Sequence, residues 1–465
     1  MIRSFSLLIL LFIIIQPVSS QQEYAVVREL TFYGNHKTKE QVIRRELDML
    51  EGDTLIIAQL PQQIILNERR LLSTKLFTDV NILIRSWDTL NYIVDVHIEL
   101  VEGWYFIPTV VFELADRNFN VWWKEMGGSL SRVNYGVRAD HFNLTGYRDR
   151  LKVKAQFGFT RNFVLEYRYP FLSDNWGFQS EIFYADNKEI DYITLGNKQN
   201  FISNEDERLL LKRFRTGFTL NHRPDLFAFH TLRFQFLYNQ VDDFIARDLN
   251  PNYFLNGNNF LRYFMIEYDF QLDKRVFTIY PEGGYMLFFN IKKEGLGIFN
   301  DYNNLPVFIG AEKHLGYKRW IVSGRFKAKA NLIRDQVAFV NNKAIGYGHD
   351  VITGYELYVI DGTDFILFQS ALKFRIFDKV LDLGRSMPLR QFRRMSVRLF
   401  LRWNIDGGYI NERDYIDTNI LNNRWVFGYG PALDFMLWNT FVIEAAYSFN
   451  QLGESGFFFK SSLSF

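Results

Sequence analysis

The sequence predicts a small α+β domain of order β-α-α-β-β followed by a transmembrane antiparallel β-barrel of about 16 strands. Three observations predict it. The first hundred residues mix helical and strand periodicity. From Gly103 onward, segments of about ten residues alternate polar with apolar side chains to the end of the chain, near the length a tilted strand needs to cross a bilayer. The chain also closes on "GFFFKSSLSF", an apolar terminus that water does not favour.

Composition narrows the function classes. The 465 residues carry a formal net charge of +2, so no global electrostatic pull toward nucleic acid exists. Aromatic content is 17%, mostly Phe and Tyr, which suits strands. Cysteine is absent, which excludes disulfides, iron–sulfur sites and thiolate zinc sites.

Residues 1–20 read as a secretory leader. Arg3 supplies the positive start, Leu7 to Ile15 the apolar run, and Val18-Ser19-Ser20 the small residues before a cut near Gln21. The run is too short for a membrane helix, and no stretch of eighteen apolar residues follows it. Residues 21–102 then form the first domain. Val26 to Tyr33 reads as a strand ended by Gly34-Asn35. Thr38 with Gln41 makes a capping-box pattern, and Ile43, Leu47 and Leu50 follow with helical spacing. Pro61 suits the first turn of a second helix carrying Ile64, Leu71 and Leu72. Phe77 to Trp87 and Asn91 to Leu100 read as a hairpin.

Residues 103–465 form the barrel. In "LKVKAQFGFT", Leu151, Val153, Ala155 and Phe157 oppose Lys152, Lys154 and Gln156. In "TLRFQFLYNQ", Leu232, Phe234, Phe236 and Tyr238 oppose Arg233, Gln235 and Asn239. "SGRFKAKANL" sets Phe326, Ala328 and Ala330 against Arg325, Lys327 and Lys329. "SVRLFLRWNID" sets Leu399, Leu401, Trp403 and Ile405 against Arg398, Arg402, Asn404 and Asp406. A soluble two-faced sheet shares this alternation. The mid-strand Lys and Arg exceed what solubility needs, and in lipid such strands must close, because an open edge is not tolerated there. The last strand is therefore expected to pair with the first. Polar Asp186 to Glu207 reads as a long loop.

Several segments resemble a known family. "VRELTFYGNHKTKEQVIRRELDMLEGDTL" with "RRLLSTKLFTDVNILI" resembles a POTRA domain, through Gly34-Asn35, Thr38, Gly52-Asp53, Leu71-Leu72 and Leu76-Phe77. "NLTGYRDRLKVKAQFGF" and "EYRYPFL" resemble early barrel strands of BamA/TamA-type outer-membrane assembly factors. "ITGYELYVIDG" looks like that family's loop segment, with Ile352, Gly354 and Tyr355 in place but Thr353 where the family has arginine. "NIDGG" resembles the acidic site that meets the arginine, giving Asp406. The resemblance implies that this loop folds into the lumen as a latch. With Thr353 in the arginine's place, Arg398 or Arg402, on the face of Asp406, is expected to supply the countercharge. Gly456, Phe457, Phe459, Leu463 and Phe465 resemble the family's C-terminal barrel signal.

The function so implied is an outer-membrane protein with a periplasmic N-terminal domain. It receives unfolded outer-membrane or secreted chains and inserts or translocates them. Its partners are outer-membrane lipid, those clients, and periplasmic chaperones or barrel-assembly accessory proteins; neither nucleic acid nor a cofactor is expected. Two rival readings stand beside it: a passive pore preferring anions, from its inward Arg and Lys, and a dedicated exporter or accessory for one client or lipid. No enzyme motif, catalytic residue or metal-ligand cluster stands out, since neither His-Glu-x-x-His nor Gly-x-Ser-x-Gly occurs and the seven His are scattered.

Overall fold

A computed structural model describes residues 23–173, 175–203, 208–299, 301–388, 393–414 and 419–463. The leader at 1–20 and Phe465 lie outside the described residues. Among them no helix is long and apolar enough to cross a membrane.

The chain begins with β1 (Tyr24–Tyr33), α1 (Glu40–Arg44), β2 (Thr54–Ile56), α2 (Leu60–Ser73), β3 (Phe77–Asp88) and β4 (Ile93–Glu102). The sheet order is β2-β1-β4-β3, with β1 parallel to β4 and the other pairs antiparallel. Inward residues of the strands meet Val42, Ile43, Leu60 and Leu71 of the helices in one core. Gly34 has φ 93°, and a Cβ there would sit 2.0 Å from the Leu100 carbonyl oxygen, so the turn after β1 demands glycine.

Two details differ from the pattern read above. A three-residue strand, β2, separates the helices. Helix α1 is only five residues long, so Leu47 and Leu50 lie beyond it. Thr38 caps no helix. Its backbone N–H and hydroxyl both donate to Glu102 (2.7 and 2.6 Å), and its hydroxyl accepts from Asn143 (2.9 Å). Glu102 at the end of the domain and Asn143 beyond it thus take the groups a local cap would use.

Sixteen strands follow as one antiparallel sheet. They are β5 (Phe106–Leu114), β6 (Val133–Phe142), β7 (Arg150–Gly158), β8 (Thr160–Tyr169) and β9 (Trp176–Asn187). After a side hairpin, β10 (Glu189–Leu195) and β11 (Lys198–Ser203), come β12 (Leu211–His222), β13 (Ala228–Val241), β14 (Phe260–Asp273), β15 (Gly284–Glu294), β16 (Pro306–Tyr317) and β17 (Trp320–Asn331). A long connection holding β18 (Lys343–Ile345) and β19 (Ile360–Asp361) leads to β20 (Asp364–Asp382), β21 (Arg394–Asn411), β22 (Trp425–Leu437), β23 (Phe441–Asn450) and β24 (Ser455–Leu463). The stretch read as a loop at 186–207 is in part the β10–β11 hairpin.

The alternation becomes two faces. Val153, Leu232, Leu401, Trp403 and Ile405 are exposed on the outside. The opposite face turns inward, and its cations meet carboxylates: Lys152 with Glu166 (2.6 Å), Arg215 with Glu181 (2.7 Å), Lys327 with Asp350 (2.5 Å). Tyr280, from the β14–β15 connection, crosses the interior to donate to Asp434 of β22 at 2.6 Å. At the far rim, Asn197 of the β10–β11 turn bonds Asn419, Leu421 and Asn422, roofing the lumen.

The first domain docks on the near rim. Glu46 enters between two arginines of barrel turns, Arg148 (2.7 Å) and Arg223 (2.5 and 3.0 Å). Lys39 N–H donates to the Gly146 carbonyl at 3.0 Å. Burial alone would push the Glu46 carboxyl up, but Arg148 and then Arg223 outweigh it and hold it below its ordinary value.

A carboxyl with a depressed folded pKa stabilises fully above its unfolded value of about 4.3, and its contribution is lost as pH falls through the folded value. Dyes on Leu90→Cys and Tyr317→Cys should therefore report a constant distance from neutral pH down through the ordinary carboxylate range, then a change in stronger acid. Glu46→Gln should move it at neutral pH, because two half-buried arginines lose their countercharge. An unchanged Glu46→Gln distance contradicts the dock.

Candidate functional site

The candidate site is the β17–β20 connection together with the two terminal strands. The connection folds against the inward faces of β20–β23. Ile352 and Tyr355 are buried, Tyr355 to 1% exposure, among Phe365, Leu367, Ile410 and Val426. Gly354 has φ 86°, and a Cβ there would lie 2.4 Å from the Phe449 carbonyl oxygen. A Cβ on Gly428 would lie 1.7 Å from the Thr353 carbonyl oxygen. The loop tip and strands β22 and β23 thus approach backbone to backbone, which only glycine permits.

Thr353 meets Asp406 directly. Its backbone N–H donates to Oδ2 at 3.0 Å and its hydroxyl to the same oxygen at 2.5 Å; Ser370 N–H donates to Oδ1 at 3.2 Å. The expected arginine countercharge is not there. Arg398 pairs with Glu282 (3.1 Å) and Asp378 (3.3 Å), and Arg402 with Glu444 (2.5 Å) and Asp434 (3.4 Å). The reason is distance along β21. Arg402 lies four residues from Asp406, roughly 13 Å at strand rise, and closer carboxylates claim it. Three neutral donors do the work of one ion pair.

At the C-terminus, Phe457 and Phe459 are 62% and 52% exposed on the outer face, and Gly456 is the second residue of the strand. Leu463 ends β24. Phe465 lies outside the described residues.

Among the described residues the expected pairing of last strand with first is absent. The ladder order runs from β5 to β24 and stops, and among the described residues no ladder joins the two. A helix sits there instead. α3 (Phe119–Lys124), in the β5–β6 connection, packs on β24, and Asn120 Nδ2 donates to the Phe457 carbonyl. Asn118 caps α3 through Val121 N–H (2.9 Å) and donates to the Glu356 carbonyl (2.6 Å). Arg117 donates to the carbonyls of Gly346, Leu357 and Tyr358. Ser448 of β23 reaches Glu356 at 3.3 Å. Sequence reasoning missed α3; the Asn118 cap before "FNVWW" was its one signal.

Residues 25–103 match the POTRA family model, described as surface antigen variable number repeat. Residues 25–103 are a POTRA domain. No curated protein sequence matches the chain. Among solved structures, BamA from Haemophilus ducreyi lacking POTRA domains 1-3 is similar at TM-score 0.53 and 14% identity, over 94% of this chain and 84% of that one. CdiB from Escherichia coli gives 0.57 and 12%, over 96% and 77%, and CdiB from Acinetobacter baumannii 0.51 and 11%, over 95% and 74%. At these identities the likeness is one of fold: a POTRA domain followed by a 16-strand barrel.

The Asp406 anchor generates a prediction. Each hydrogen bond to a charged acceptor contributes about 1.5–3 kcal/mol, so Asp406→Ala should loosen the loop tip. In this cysteine-free chain, Tyr355→Cys should react with maleimide far more slowly than Lys198→Cys on the roof hairpin, and adding Asp406→Ala should speed it. Equal rates for the two single cysteines contradict the anchored loop.

Proposed function

We propose that this chain is an outer-membrane protein whose periplasmic POTRA domain receives unfolded chains and whose barrel inserts or translocates them. One observation carries the reading: the 16-strand sheet has two terminal strands, β5 and β24, with no ladder between them among the described residues. Main-chain groups at a strand edge accept another strand with little demand on sequence. In the POTRA sheet, β3 is likewise terminal and twelve residues long. Strand addition could thus start in the periplasm and finish in the membrane.

In this proposal residues 1–20 are the leader, 21–102 the periplasmic domain and 103–465 the barrel. The outward apolar face meets outer-membrane lipid. The loop at Ile352–Tyr355, held by Asp406, is the latch, and Gly456, Phe457, Phe459, Leu463 and Phe465 form the assembly signal. The clients are outer-membrane or secreted chains, delivered with the help of periplasmic chaperones or accessory proteins. The roofed far rim and the ion pairs that engage Lys152, Arg215 and Lys327 on the inward face speak against a passive pore.

A photo-crosslinking residue at Phe459, on β24, tests this reading against the same residue at Phe218, on the outer face of β12. With a barrel client expressed in the same cells, Phe459 should capture strand peptides of that client and Phe218 should not. Equal capture at both positions, or none at Phe459, overturns the reading.

A further inference from the structure

A second feature has no part in strand addition. Between the POTRA domain and the near rim lies a chamber of about 700 Å³. Ten lysine and arginine side chains line it, against two carboxylates, Glu46 and Asp273. Carboxylates behind the walls answer some of the cations: Asp48 pairs Arg70, Asp140 pairs Arg150, and Glu312 joins Asp273 on Arg275. Arg148 and Arg223 share the single charge of Glu46. Among the described residues no carboxylate pairs with Arg69, Arg168 or Lys274, all on the chamber wall. The surplus is largest here: the pocket in the upper lumen sets five cations, Arg215, Arg233, Lys292, Lys329 and Lys343, against three carboxylates, Glu181, Glu267 and Glu294.

The walls also hold the cations in place. Arg45 lies over the Phe171 ring at 4.7 Å, Arg223 over Phe229 at 4.9 Å and Lys274 over Phe227 at 5.3 Å. A guanidinium stacked by its face keeps its in-plane N–H fork for an oxyanion. Glu46 shows the mode: two donors of Arg223 meet its two oxygens at 2.5 and 3.0 Å. The cations strain against each other. Burial pulls Arg148 below the ordinary guanidinium value, with Glu46 opposing and Arg223 adding to the effect. Burial, then Arg150 and Arg148, push Lys75 down to about 8.

We propose that this chamber binds a phosphate-bearing anion, clamped between the POTRA domain and the barrel turns. Phosphate fits because it offers three acceptor oxygens and up to about two charges in one compact group, as several converging Arg forks require. Its source is either a soluble phosphate compound or a lipid headgroup. The site is independent of client handling, so either reading can fail alone.

Lys75 supplies a clean test. It stands at φ 65°, a left-handed conformation that disfavours a side chain, just after α2. Lys75→Gly therefore removes a charge while relaxing the backbone, and folding should not suffer. Calorimetry of the full chain in zwitterionic detergent with sodium pyrophosphate should show binding. Lys75→Gly and Arg168→Gln should each weaken it roughly tenfold or more, with unfolding temperature unchanged or raised for Lys75→Gly. Arg247→Gln, exposed at the far rim, should leave it unaltered. In phosphatidylcholine nanodiscs, displacement of pyrophosphate by added phosphatidic acid assigns the site to a lipid headgroup; no displacement assigns it to a soluble phosphate. No binding, the same heat from sodium chloride at matched ionic strength, tighter binding of hexaglutamate, or wild-type binding by both chamber variants overturns the proposal.

Discussion

A β-sheet placed in hydrocarbon must answer for its edges, because each unpaired N–H and C=O costs several kcal/mol where no water can reach it. The rest of this barrel depends on how that constraint is met. Fourteen inner strands are paired on both sides. β5 and β24 each have one edge without a ladder among the described residues. A short helix of the same chain stands at the β24 edge, and its Asn120 amide serves the Phe457 carbonyl where a neighbouring strand would.

That helix is held from the far side by the inward loop. Arg117 and Asn118 donate four hydrogen bonds to backbone carbonyls between Gly346 and Tyr358. The loop tip is fixed in turn by Thr353 on Asp406 and by Gly354 against β23. Loop, helix and terminal strand therefore form one hydrogen-bonded chain from β21 to β24. Release of the tip from Asp406 would weaken the hold on the edge. The loop's position and the edge's availability are coupled through contacts, without a moving domain.

The parts legible in the sequence share one property: they follow from local periodicity. Lys152, Arg325 and Lys327 face inward and Val153, Leu401 and Ile405 outward because a period of two needs no knowledge of neighbours. β2 escaped because three residues show no period. Helix α1 is shorter than its apolar spacing predicts, because Leu47 is buried beyond the helix end. The partner of Asp406 is not legible locally, because Glu282, which claims Arg398, sits on the distant β14–β15 connection. That no β5–β24 ladder forms among the described residues is illegible for the same reason. The hydrocarbon surroundings predict closure by a ladder, and the structure instead sets a helix side chain, Asn120 of α3, on one carbonyl of the β24 edge.

The central claim is that α3 covers an edge which must be freed for work. The most direct measurement bridges Asn120→Cys and Phe457→Cys with a short reducible bis-thiosulfonate in proteoliposomes. Insertion of an unfolded barrel client is then followed with time. The account predicts that the bridge stops insertion, that reductant restores it, and that either single cysteine treated alike stays active. Full insertion by the bridged protein would contradict it.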